Sequence, residues 1–218
     1  MNKPSLAVRR GRKYDQVIEG ARSVFLSAGF EGASVDEIAR VAGVSKATLY
    51  SYFPDKRLLF IEVVRAECQR QVDEAHRAVA FDAPPRDVLR FGARRVIEFY
   101  TSDFGRGVHR ICVAEAERFP ELGREFYESG PAMARRQVCD FLAAACAAGH
   151  LEIDDLSLAA DQFLALCQAD LHDRVICGTQ TEFTEPEIVR VVEGAVETFL
   201  ARYGRKGGAA AMPRSRAG

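Results

Sequence analysis

The 218-residue chain is predicted to be all-α, with three short N-terminal helices followed by a larger helical bundle, about nine helices in total. Three observations predict it. Apolar residues recur at helical spacing in nearly every segment, and no alternating run is long enough to make a strand. Residues that start and stop helices stand at the ends of those segments.

Tyr14, Val17, Ile18, Ala21, Val24, Phe25 and Ala28 give an amphipathic helix over 13–28. Gly29 follows where a left-handed residue ends it. Ser34-Val-Asp-Glu37 reads as a capping box, with Ser34 accepting a backbone N–H and Glu37 reaching back. That short helix ends at Ala42 before Gly43. Ser45 caps the next, which Pro54 stops. A long helix runs from Asp55 to about residue 80, and Ala83-Pro-Pro85 breaks the chain. Further helices are expected over 85–101, 107–117, 121–128, 131–148, 155–177 and 185–202, with a cap or a kink at Ser129-Gly-Pro131. Thr184-Glu-Pro-Glu187 opens the last one. The tail over 204–218 is low in complexity and is expected to be disordered.

The formal net charge of −1 hides a division. Residues 1–65 carry 11 Lys/Arg against 7 Asp/Glu, whereas 66–218 carry 19 against 24. Lys3, Arg9, Arg10, Arg12 and Lys13 crowd the first 13 residues with no acid among them. This is the charge distribution expected of a phosphate-facing end, or of a solvated terminus. The N-terminus has no apolar run of signal-peptide length, and no stretch reaches the length of a membrane span. A cytoplasmic protein without membrane partners is therefore expected. Its six cysteines make no C-x-x-C pair or zinc-finger spacing, so they read as small core residues, and neither a metal nor a cofactor is expected.

Val35 to Leu49 has the internal logic of a helix-turn-helix. Ala39 is small where one helix crosses the other, and Gly43 supplies the left-handed turn. Ile38, Ala42, Val44 and Leu49 make a miniature core. An ordinary αα-corner would share some of these features, but not the polar outer face. Residues 45–52 would then enter a major groove. Lys46 can donate to guanine O6 and N7, Thr48 can meet a base edge or a thymine methyl, and Ala47 offers a small apolar contact. Ser34 brings a hydroxyl and a helix N-terminus to phosphate.

Gly43-Val-Ser-Lys-Ala-Thr-Leu-Tyr-Ser-Tyr-Phe-Pro-Asp-Lys-Arg-Leu-Leu-Phe60 resembles the DNA-binding domain of the TetR/AcrR regulators over residues 10–60. Val113 to Leu122 with Phe126-Tyr127 is similar to the C-terminal domain of their AefR-like subgroup. The resemblance implies a homodimer, a ligand pocket in the C-terminal domain (61–203) and usually a repressor. It also implies a phosphate contact for Tyr50, neighbouring contacts for Ser51 and Tyr52, and a backbone-clamping role for Lys56. Packing against Phe53 is the other reading of Tyr52.

Helix-turn-helix units usually work in pairs on half-sites about 34–36 Å apart, so a palindromic double-stranded operator is expected. The last two helices are the expected dimer surface, through Phe163, Leu166, Val192, Val196 and Phe199. The same residues could instead be core. The remaining 150 or so residues suggest a sensor for an unknown small-molecule effector, with helix 55–80 as lever. Tyr100, His109, Gln137, Gln168 and His172 are the candidate pocket side chains. No G-x-S-x-G, Walker A or H-E-x-x-H is present, and Gly105-Arg-Gly107 lacks the context of a dinucleotide fingerprint, so no enzyme and no catalytic residue is expected. The competing class is a helical adaptor or architectural DNA-binding protein without a small-molecule ligand.

Overall fold

The computed structural model describes residues 11–78, 83–115, 117 and 120–205. The basic stretch 1–10, residues 79–80 of the expected long helix, part of the 113–122 segment and the tail from 206 lie outside the described residues. Among those described there are eleven helices: α1 (Arg12–Gly32), α2 (Val35–Ala42), α3 (Lys46–Tyr52), α4 (Lys56–Ala78), α5 (Pro85–Thr101), α6 (Asp103–Glu115), α7 (Pro120–Ser129), α8 (Pro131–Ala147), α9 (Leu156–Cys167), α10 (Leu171–Ile176) and α11 (Glu185–Tyr203). The one extended pairing among them is an isolated bridge between Leu151 and Gly204. The fold is all-α.

Gly29 takes the expected positive φ, 68°, and one further turn follows it to Gly32. Gly43, at φ 65°, closes α2, and its N–H meets the carbonyl oxygens of Ala39 and Arg40. Ser34 accepts from the Glu37 N–H at 3.1 Å, but the other half of the predicted capping box is not made. Arg40, one turn further on, takes both Glu37 carboxylate oxygens, at 2.9 and 2.6 Å. A bidentate charge-assisted contact outcompetes one neutral backbone N–H. The reciprocal box is made instead at α11, where the Thr184 N–H donates to Glu187 at 2.8 Å. At 129–131 the chain breaks and restarts, with Gly130 as cap and Pro131 in the first turn of α8.

The expected helix 155–177 is two helices. Asp170 takes φ 66° and ψ −53°, and the Leu171 N–H donates to the Ala169 carbonyl at 2.8 Å. This is a γ-turn, strained for a non-glycine residue. Its carboxylate binds Arg174 of α10 and Arg190 of α11. Apolar spacing continues across the break through Phe163, Cys167, Leu171 and Val175, with no Gly or Pro to mark it, so periodicity alone could not find it.

Two buried clusters form the core. The first joins α1 (Val17, Ala21, Val24, Phe25) to Ile38, Leu49, Leu59, Phe60 and Val63, and continues into Phe104, Val108 and Cys112 of α6. The second holds Leu89, Ile97, Leu142, Phe163, Leu171, Val196 and Phe199. The N-terminal core therefore does not stop at residue 60: α4 and α6 complete it, which couples the helix-turn-helix to the larger bundle. Gly105 belongs to this coupling. A Cβ there would lie 2.0 Å from the Phe99 carbonyl oxygen, so Gly105 serves close packing of α6 on α5, whereas a Cβ at Gly107 would meet nothing within 4 Å. All six cysteines are free. Burial pushes the Cys68 thiol up to about 11, and the Cys112 and Cys167 thiols up to about 12.

Candidate nucleic-acid interface

α3 lies on the protein surface with only Leu49 buried beneath it. Leu49, Ile38 and Ala42 form the expected miniature core, with Val44 packed at its edge. The contact with α1 depends on Gly20, because a Cβ there would sit 2.7 Å from the Ala42 N, Cα and Cβ atoms. Gly20 was not singled out from the sequence. Its signal was a glycine on the apolar stripe of α1, between Val17 and Val24.

The outward row of α3 is polar and locally ordered. Ser45 caps the helix, accepting from the Thr48 N–H at 3.1 Å, and its hydroxyl meets the Thr48 hydroxyl at 2.9 Å. Ser51 donates to the Thr48 carbonyl at 2.6 Å. Ala47 is exposed, as are Ser34 at the head of α2 and Tyr50, which is 49% accessible. Lys46 stands at the start of α3, where its ammonium pairs with Asp36 from the first turn of α2. Hydroxyls, one ammonium, a small apolar side chain and an unburied tyrosine thus share one face. The hydroxyls and the ammonium can donate to base edges and phosphates, and the Ala47 methyl can make an apolar contact, without any rearrangement of the backbone.

Two of the expected contact residues are placed differently. Tyr52 is half-buried, edge-on to Tyr14 at 5.8 Å and next to Phe53 at 6.5 Å, which is the packing reading of that residue. Lys56 points into the fold. Its ammonium donates to the Phe30 and Ala33 carbonyls at 2.9 and 3.1 Å and lies 4.5 Å from the Phe30 ring centroid. It satisfies carbonyl oxygens at the end of α1, so its geometry is that of a fastener between α1 and α4.

Behind this face, Glu67 of α4 is buried between Arg22 of α1, at 2.6 Å, and Arg70. Burial alone would push the Glu67 carboxyl up. The hydrogen bonds from Arg22 and Arg70 outweigh it and hold the carboxyl below the usual range. α4 is thereby tied to α1 by charge as well as by packing.

The expected pocket residues do not form one site. Tyr100, His172 and His109 meet edge-to-face, with centroids 5.3 and 5.8 Å apart, and the Tyr100 hydroxyl donates to the Cys167 carbonyl at 3.0 Å. Burial, then the neighbouring His172, pushes the His109 imidazole below its ordinary value. Gln168 is exposed at the end of α9, and Gln137 is half-buried on α8. An open cleft of about 320 Å³ lies elsewhere, between α1, α4, α5 and α6. It is lined by Leu26, Glu67, Arg95, Glu98, Phe99, Ser102, Asp103 and Phe104. Three of the side chains picked by sequence pack on one another and the two glutamines lie apart from them, whereas the cleft arises where four helices fail to close.

The expected dimer residues also need correction. Phe163, Val192, Val196 and Phe199 are buried in the chain's own second core, and Leu166 packs against it. Periodicity shows which helix face is apolar, not which molecule covers it. The solvent faces of these helices carry Leu158 and Ala165 on α9, and Gly194, Thr198 and Ala201 on α11, with Ala169 exposed in the turn after α9.

A short polar helix held outward on a two-helix frame by a left-handed glycine defines a helix-turn-helix protein with an appended helical domain. The chain belongs to the TetR family of bacterial regulatory proteins: residues 17–63 match the family's N-terminal domain, and 87–205 match the C-terminal domain of AefR-like transcriptional repressors. Among solved structures it is similar to a TetR-family regulator of Mesorhizobium loti (TM-score 0.77, 29% identity, 91% of this chain and 100% of that one). It is also similar to the flavonoid-responsive regulator FrrA (TM-score 0.67, 38% identity, 90% and 100%). Curated relatives include the transcriptional activator FasR of Mycolicibacterium smegmatis, 31% identical over 94 residues, 43% of each chain. The regulator RutR of Escherichia coli is 41% identical over 63 residues, 29% of each. The matches span less than half the length of these curated relatives. No helix among the described residues is long and apolar enough to cross a membrane.

Proposed function

We propose that this protein is a cytoplasmic, sequence-specific DNA-binding repressor that sits as a homodimer on a palindromic operator and leaves it when a small molecule binds. The observation that carries this reading is the outward row of α3 and its cap, with Ser45, Lys46, Ala47, Tyr50 and Ser51 exposed and Thr48 half-buried, and Ser34 exposed at the head of α2. In this reading residues 10–60 are the DNA-binding domain and 61–203 the sensing and dimerising domain. Lys46 reads guanine, Thr48 and Ala47 lie against neighbouring bases, and Ser34, Tyr50 and Ser51 position the phosphates. Tyr52 and Lys56 act by holding that face in place.

The dimer forms through the solvent faces of α9 and α11, where Ala165, Gly194 and Ala201 allow close helix approach. The effector enters the cleft between α1, α4, α5 and α6, whose volume falls within the range of small-molecule sites. Phe99, Phe104 and Leu26 give it apolar walls, and Arg95, Ser102 and Glu98 give it hydrogen-bonding groups. Occupancy there would part α1 from α5 and α6 and so move α3. The similarity to FrrA makes a flavonoid the first class of probe. The repressor sense is supported by the AefR-like match.

Selection of bound sequences from a random duplex pool, followed by footprinting, tests the reading. The expected outcome is a two-fold symmetric sequence whose occupancy falls on adding a flavonoid. Salt-sensitive binding with no enriched sequence would support the architectural alternative instead.

A further inference from the structure

The face proposed to meet DNA carries no net charge. Between residues 34 and 52 the charged side chains are Asp36, Glu37, Arg40 and Lys46. They are mutually paired: Arg40 binds Glu37, and Lys46 binds Asp36. Of the cations that follow α3, Lys56 is turned onto the carbonyls of α1 and Arg57 is held by Asp55; Arg12 and Lys13, exposed at the start of α1, lie outside α2 and α3. Glu37 and Arg40 lie three residues apart on one helix and stabilise α2 locally. Asp36 and Lys46 are different. They join the first turn of α2 to the first turn of α3, and both are largely exposed, at 65% and 59% of their side chains. A carboxylate so placed does little for folding. It does, however, occupy the one ammonium on the reading row.

We propose that Asp36 is a specificity-determining residue, an internal competitor that withholds Lys46 from phosphate and yields it only to a guanine edge. The proposal rests on the reading that α3 enters a major groove. Against random DNA, transfer of the Lys46 ammonium from Asp36 to a phosphate exchanges one anion for another. It also leaves the Asp36 carboxylate facing the polyanion, so little is gained. Against an operator guanine, the ammonium has three N–H donors. It keeps Asp36 on one and gives the others to O6 and N7, while Asp36 orients it. Asp36 thus subtracts from sequence-independent affinity and leaves base readout intact, widening the ratio between the two.

The test is Asp36→Asn in the full chain, compared with Asp36→Glu and wild type. Binding to the selected operator and to random duplex is measured across a salt series, with thermal melts as the check on folding. Freed from Asp36, Lys46 becomes an ordinary phosphate contact. Random-duplex affinity should then rise about 3- to 10-fold near 0.1 M salt, and the random-duplex salt slope should steepen by about 1 per subunit. Operator affinity should stay within about 3-fold, so the specificity ratio falls, whereas Asp36→Glu should keep it. An unchanged ratio in Asp36→Asn would overturn the proposal. So would an equal loss on both DNAs with a lowered melting temperature, which would make Asp36 a helix-start residue and nothing more. If wild type enriches no sequence, the DNA-binding reading itself fails; if wild type is specific and only the variant ratio is unmoved, this proposal alone fails.

Discussion

Gly20→Ala tests whether the reading helix is positioned by close contact between α1 and α2. Two opposing effects are built into the substitution. Alanine in a helix interior is favoured over glycine by about 1 kcal/mol. The new Cβ, however, would stand 2.7 Å from three atoms of Ala42, two of them backbone. Ordinary carbon contacts begin near 3.5 Å, so α2 must retreat by about 0.8 Å, and α3 is carried with it. Overpacking of this kind costs about 1–3 kcal/mol, and the upper part of that range applies because backbone atoms cannot rotate aside. The expected net loss is about 1–2 kcal/mol, or about 2–8 °C in melting temperature for a chain of this length. Gly107→Ala is the control, since nothing lies within 4 Å of a Cβ there. It should gain about 0.5–1 kcal/mol. Calorimetry on the two variants, with operator and random-DNA binding in parallel, makes the comparison. If Gly20→Ala were stabilised as much as Gly107→Ala and bound operator normally, the close-packing account would be wrong.

Three further outcomes are expected. Lys56→Ala leaves the Phe30 and Ala33 carbonyls without their donor, so it should lower stability by about 2 kcal/mol. It should leave the random-DNA salt slope unchanged, and a slope reduced by about 1 per subunit would return Lys56 to the phosphate-contact role. Glu67 has a carboxyl held below its unfolded value, so its contribution to stability is present above about pH 5 and is lost as pH falls through the lowered folded value. Glu67→Gln should cost about 1–3 kcal/mol at pH 7 and flatten that acid limb of the stability profile, as followed by circular dichroism. Gly194→Arg has open space within the chain. It should leave the fold intact but convert the dimer to monomer in light scattering; an unchanged dimer would place the interface elsewhere.

The helix-turn-helix was legible because its signals are local. Spacing, caps and the Gly43 turn all lie within a few residues of one another, and the motif from Gly43 to Phe60 repeats a family pattern closely. What the sequence hid depends on contacts between distant segments. Lys56 looked like a surface cation until α1 supplied Phe30 and Ala33 as acceptors. Phe163, Val196 and Phe199 looked equally fit for a dimer seam or a core, since both demand the same apolar stripe. The α9–α10 break is fixed by Asp170 binding Arg190, twenty residues away on α11, and no turn residue marks it. The cleft is the least legible feature of all. It is an unfilled volume among four helices, and none of Tyr100, His109, Gln137, Gln168 and His172 lines it.

The central claim, that the exposed row of α3 reads sequence, is tested most directly by Lys46→Ala on two DNAs. Binding to the selected operator and to random duplex is measured at one salt concentration. The account predicts a loss of about 1–3 kcal/mol confined to the operator, with preference relaxed at a single base pair per half-site. An equal loss on operator and random DNA would contradict it.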